Sequence, residues 1–125
     1  MPDRRSLLVA TTSMAAAMVA SRGAFAQAAF SSIKMFIPAG PGGGWDGLGR
    51  AIEQVLREAR KVGSFQFENV GGAGGAVGLP RFVARRGQGD TLMVAGAVMV
   101  GATLTNKSPV GLKDVTPIAR LTEEA

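Results

Sequence analysis

The chain contains no Cys, no His and no Tyr. Without Cys it can build no disulfide framework, no Cys-ligated zinc site and no thiol nucleophile. Without His it lacks the commonest general base and the commonest metal ligand, and a Ser-His-Asp triad is excluded within the chain. Aromatics are sparse, one Trp and six Phe among 125 residues. The Lys and Arg residues are scattered rather than run together, so no nucleic-acid partner is expected. The formal net charge of +5 is mild, enough only to favour small anions. The one residue in excess is Gly, 18 of 125, about twice average usage.

The first 26 residues read as an address. Arg4-Arg5 opens a charged segment, Leu7 to Ala20 carries no charge, and Ala24-Phe25-Ala26 is a small-x-small cleavage site. That is the layout of a bacterial secretory leader, cleaved after Ala26 and delivering the chain to the periplasm. The apolar run is too short to span a bilayer comfortably. Asp3 to Val9 also fits the twin-arginine type of leader. Eleven basic and eight acidic residues remain beyond residue 26, for a net +3.

Residues 27–125 read as strand, glycine loop, helix, repeated. Ile33 to Ile37 is an apolar run that ends at Pro38 and is expected to be a strand. Pro38 to Gly44 cannot be regular structure. Leu48, Ile52, Val55, Leu56 and Ala59 then fall on one helical stripe. Glu53 and Arg57 form an i,i+4 pair in the favourable order. Asp46 sits where an N-cap belongs, and Gly63 follows the end. Phe65 to Val70 is a second strand, with Phe65 and Phe67 on one side. Gly71 to Gly78 is a second glycine loop, followed by a short helix from Val77 to Arg86. Thr91 to Ala95 is expected as a third strand, Val98 to Thr105 as a helix, Asn106 to Lys113 as loop, and Thr116 to Thr122 as a fourth strand. Strands alternating with helices imply an α/β unit with a parallel sheet and right-handed crossovers.

That topology gives the glycines a meaning. Eleven of the 17 beyond the leader fall in two stretches, Gly40 to Gly49 and Gly71 to Gly78. In a parallel α/β sheet such loops line the carboxyl edge, where ligands bind at helix N-termini. Backbone N–H groups and the positive end of the helix dipole favour an anion there. A carboxylate is the natural guest of such a paired cradle, and a phosphate also fits the chemistry. Trp45 reads either as packing or as an aromatic wall of the pocket. Asp46 caps the helix or hydrogen-bonds a ligand hydroxyl or amine; facing an anion it would repel it, so it should point aside. Arg81, Arg85 and Arg86 read as a solvated helix face.

The phosphate-loop pattern G-x-x-x-x-G-K-[ST] is absent, but Gly42 to Gly47 matches G-x-G-x-x-G, with Glu68 at the end of the second strand. A dinucleotide-binding oxidoreductase domain is therefore the alternative reading. Against it, Pro38 and Pro41 lengthen the turn, Asp46 brings negative charge to the pyrophosphate position, and the second loop is left without a role.

Three segments carry a resemblance. Pro38-Ala-Gly-Pro-Gly-Gly-Gly-Trp-Asp46, Asn69-Val-Gly-Gly-Ala-Gly-Gly-Ala-Val-Gly78 and Asp114-Val-Thr-Pro-Ile-Ala-Arg-Leu-Thr-Glu123, with Leu92 to Gly101 between them, resemble the solute-binding component of tripartite tricarboxylate transporters. These are the periplasmic receptors often called the Bug family. The resemblance runs in order over residues 30–125. It implies a type II periplasmic-binding-protein-like clamshell holding a carboxylate between two lobes, with citrate-like tricarboxylates as the leading class. It implies delivery of that solute to membrane permease subunits, with no catalysis and no cofactor. The ligand residues it implies are Gly42, Gly43, Gly44, Trp45, Asp46, Asn69, Gly72, Ala73, Gly74 and Gly75, with Gly96, Val98 and Met99 lining the cleft. Family members are much longer, so the chain is expected to be part of the first lobe, truncated within it, and to bind citrate weakly or not at all by itself.

Overall fold

The computed structural model describes residues 28–123; the expected leader and its cleavage site lie outside them. Three strands, β1 (Phe30–Ile37), β2 (Val62–Asn69) and β3 (Thr91–Met93), form one parallel sheet in the order β2-β1-β3. Helix α1 (Gly44–Glu58) links β1 to β2, a short α2 (Gly78–Val83) links β2 to β3, and α3 (Ala97–Thr105) follows β3. Single 3-10 turns occupy Ala73–Gly75 and Leu112–Asp114. The expected α/β class is therefore observed: a small domain with a three-stranded parallel sheet and helices.

Burial explains the sequence of β1. As the middle strand it is covered on both faces near its carboxyl end, so Met35, Phe36, Ile37 and Pro38 are all buried in succession. Met35 and Ile37 face α1 and join Val94, Leu48, Ile52, Phe65, Phe67, Leu92 and Trp45 in one cluster. Phe65 and Phe67 stack at 6.2 Å on that face, as their spacing predicts. Phe36 faces the other way, toward Phe82 of α2, with ring centroids 5.8 Å apart. The amino-terminal half of that second face is polar. It carries Ser32, Lys34 and Gln66, with Lys34 paired to Asp90 at 3.3 Å.

Several expectations are corrected. Helix α1 starts at Gly44, and its N-cap is Gly43 rather than Asp46. Its inward seam runs through the buried Gly49 and the half-buried Trp45, Leu48, Ile52 and Leu56, and Val55 is 62% exposed. Gly49 lies against the sheet on this seam, where a Cβ would come within 3.0 Å of Ile37 Cδ1, so Gly lets the helix sit close without displacing that methyl. Helix α2 ends at Val83 rather than Arg86, because Arg85 and Arg86 bond three residues back, to Phe82 and Val83, and Gly87 then takes φ +91. Arg85 is not merely solvated. It pairs with Glu68 at 2.6 Å and lies over the Phe36 ring at 5.0 Å.

The largest correction concerns residues 116–122. They form no strand, and the sheet has three strands among the described residues. Their pattern permits a strand, but only a paired neighbour makes one. Just before them the chain makes a single 3-10 turn at Leu112–Asp114, which Asp114 closes by accepting the Gly111 N–H at 2.8 Å.

Candidate functional site

The chain leaves the carboxyl ends of β1, β2 and β3 through three glycine-bearing segments, and the structure brings all three to one edge of the sheet. Helices α1 and α2 lie on opposite faces, so the connections from β1 diverge from those beside it. That makes the crevice next to β1 a topological switch point, the place where open α/β sheets bind ligands.

The first and second segments are fastened by two side chains. Asn69 ends β2, and its amide nitrogen donates to the Ala39 carbonyl at 3.2 Å and to Asp46 Oδ1 at 3.0 Å. Asp46 lies in the first turn of α1, 3% exposed. Its Oδ2 accepts the Gly42 N–H at 3.0 Å and Arg50 Nε at 2.9 Å, and its Oδ1 also accepts from the Arg50 guanidinium at 3.3 Å. The hydrogen bonds from Arg50, from the Gly42 amide and from Asn69 together hold the Asp46 carboxyl far below the usual carboxylate range. Both oxygens of that buried carboxylate are thus engaged inside the framework. Its charge is met by Arg50, which also lies over the Phe67 ring at 4.6 Å.

The second segment is short of ordinary backbone conformations. Val70 extends the ladder by donating to the Ile37 carbonyl at 2.8 Å. Gly72, Ala73, Gly74 and Gly75 then all have positive φ. Crowding adds to the demand for Gly at Gly75, where a Cβ would come within 2.7 Å of the Met99 methyl and 3.1 Å of the Trp45 ring. Trp45 is half-buried and fills the junction of all three segments. One edge of its ring lies against Gly75, and Nε1 would be 2.9 Å from a Cβ on Gly96. Met99 is fully buried beneath it, while Val98 is 62% exposed beside Gly74, where a Cβ would lie 3.3 Å from its Cγ1.

What remains open is backbone. No side chain caps the start of α1 at Gly43 or of α3 at Gly96. The leading N–H groups of a helix have no intrahelical acceptor, so both starts present donors and the positive end of a dipole at this edge. Gly42, Gly43, Gly44, Gly72, Ala73 and Gly74 are exposed, and Gly75, Asp46 and Met99 are buried. The thirteen residues singled out from the sequence therefore lie together. They divide into an exposed backbone rim (Gly42–Gly44 and Gly72–Gly74), a half-buried floor (Trp45, Gly96) and a buried framework (Asp46, Met99, Gly75) bridged by Asn69, with the exposed Val98 side chain beside Gly74.

Sequence reasoning missed Arg50 and the Ala39 carbonyl. Arg50 is the i+4 partner of Asp46, a pairing that residue spacing permits but that only the inward turn of Asp46 makes part of the site. Glu68, the acidic residue of the dinucleotide alternative, lies on the opposite face, where Arg85 holds its carboxyl below the ordinary value. A shallow hollow among Lys34, Gln66, Glu68, Arg85 and Gln88 is on that face too. Among the described residues no three acidic groups are placed to hold a metal ion, and no helix is long and apolar enough to cross a membrane. Comparison of the chain with protein-family models, with curated proteins and with solved structures finds no match.

Proposed function

We propose that this chain is an exported receptor component that takes up a small carboxylate on the backbone rim of its glycine loops. It acts as part of the first lobe of a periplasmic clamshell and passes its solute to the permease of a tripartite tricarboxylate transporter. It binds and releases without chemistry. The observation that carries this reading is the Asp46–Asn69 bridge. It locks two glycine loops side by side at the switch point and turns the Asp46 carboxylate inward onto Arg50, so an anion meets backbone donors and no opposing charge from that residue.

Dissociation constants in the millimolar range are expected for such a half-site. The test is a thermal-shift and calorimetric screen of the chain with citrate, succinate, acetate, inorganic phosphate and a nicotinamide dinucleotide. Stabilisation by at least one carboxylate is expected, and it should be lost in Gly72→Val. Stabilisation by the dinucleotide alone would instead favour the oxidoreductase alternative.

A further inference from the structure

Asp46 is the one charged residue in the three segments that meet at the rim. Residues 38–49, 70–80 and 94–106 contain no other Asp, Glu, Lys or Arg. By itself its carboxylate would set a negative charge close to the place of the solute's own carboxylate. Like charges at short range oppose binding, and the cost grows with the charge of the guest. An anion site built this way needs a counter-charge, and the three segments supply none.

Arg50 provides it. It stands one turn further along α1, half-exposed. Its Nε donates to Asp46 Oδ2 at 2.9 Å and its Nη2 to Oδ1 at 3.3 Å, so the fork grips both carboxylate oxygens. β2 braces the pair. Phe67 and Asn69 are two apart on that strand and share one face. The Arg50 guanidinium lies over the Phe67 ring at 4.6 Å, and Asn69 donates to the Asp46 carboxylate at 3.0 Å. The guanidinium is thus held by Asp46 and by the ring, and the pair as a whole is neutral. The other basic side chain of α1, Arg57, is paired with Glu53 instead, at 3.3 Å.

We propose that Arg50 sets which anions the rim accepts: acting through Asp46 rather than by touching the solute, it cancels the one negative charge of the three segments and so admits di- and tricarboxylates as well as a single carboxylate. This rests on the carboxylate reading above and adds to it a residue that tunes preference by charge. At a separation of roughly 7 Å in water, one unit charge changes the binding of another about threefold. Loss of the counter-charge should therefore cost acetate about threefold and citrate, whose further charges lie farther off, about tenfold.

Amide-shift titrations of the full chain with acetate, succinate and citrate, at about pH 7 and constant ionic strength, test it. That pH is about three units above the ordinary Asp value, and Gly42 and Asn69 still donate to Asp46 in the Arg50 variants. Arg50→Gln places an amide nitrogen where Arg has Nε, so it keeps that donor and removes the charge. Its losses should rise from acetate to succinate to citrate. Arg50→Lys keeps the charge without the fork and should bind as wild type does. Arg57→Met removes a charge from the same helix and should also bind as wild type does. Three results overturn the proposal: no loss, or an equal loss for all three ligands, in Arg50→Gln, the latter being what a loosened loop gives; a loss in Arg50→Lys or Arg57→Met as large as in Arg50→Gln; or an Arg50 Nε–H resonance that titrates with the rim amides, which would make Arg50 a ligand. A wild type that binds none of the three overturns the carboxylate reading and this inference with it, whereas a binding wild type with any of those results overturns this inference alone.

Discussion

Changing Asn69 tests whether the two glycine loops are held by the contacts described. Asn69 donates two hydrogen bonds, to Ala39 and Asp46, from a half-buried position. Leu has nearly the same shape and neither donor. At about 1 kcal/mol per bond, Asn69→Leu should cost about 2 kcal/mol. For a domain of this size that is a fall in Tm of roughly 8–16 °C. Asn69→Asp keeps the shape but sets a second carboxyl beside the Asp46 carboxylate. Like charge raises the folded-state pKa of the introduced acid above its unfolded value. A raised carboxyl binds its proton more tightly in the folded state, so stability falls as pH rises and returns as pH drops below the folded pKa. Each unit of that shift is worth about 1.4 kcal/mol. Arg50 and the Gly42 amide still hydrogen-bond the Asp46 carboxylate in this variant, and the introduced acid, once protonated, can donate to it. Urea denaturation of wild type, Asn69→Leu and Asn69→Asp between pH 4 and 8 should therefore show Asn69→Asp less stable than Asn69→Leu at pH 8, with the gap closing toward pH 4. A pH-independent gap, or Asn69→Leu within about 0.5 kcal/mol of wild type, would show that these contacts do not hold the loops.

Three further perturbations follow from the same framework. Gly75→Ala meets both a φ of +93 and the Met99 methyl, whereas Gly87→Ala meets a φ of +91 with nothing within 4 Å; denaturation should show a loss of about 1 kcal/mol at Gly87 from backbone strain alone, and a larger loss at Gly75. Phe36 is wholly buried against Phe82, and Phe36→Ala should cost about 3–5 kcal/mol in urea, enough to leave much of the chain unfolded at 37 °C. Arg50→Met removes the first cause of the depressed Asp46 pKa. A carboxyl with a depressed folded pKa contributes stability above its unfolded pKa and loses it as pH falls through the folded one, so the variant should be less stable at pH 7 and should begin to unfold at less acid pH than wild type.

The sequence revealed those parts of the molecule that depend on local pattern. The apolar run ending at Pro38, the alternation of Phe65 and Phe67, and the glycine loops between them point to parallel strands with a common carboxyl edge, and three of the four strands expected from the sequence form. Long-range choices were not legible. The approach of α1 brings Gly49 against Ile37 and Met35, whereas pattern alone placed Val55 inside. Asp46 had the residue type and position of a cap, yet its partners come from 4 residues before it, 4 after it and 23 away. Only the fold brings Asn69 to it. Thr116 to Thr122 shows the same limit, since strand propensity does not supply a neighbour.

The functional proposal stands or falls on whether an anion binds the backbone rim of the glycine loops. Amide chemical shifts of the ¹⁵N-labelled chain titrated with citrate read this at the donors themselves. Shifts should concentrate at Gly43–Asp46, Gly72–Gly75 and Ala97–Val98, with the Trp45 indole N–H moving in step. Shifts confined to the Lys34, Gln66 and Arg85 hollow, or no shift at these glycines up to tens of millimolar citrate, would overturn it.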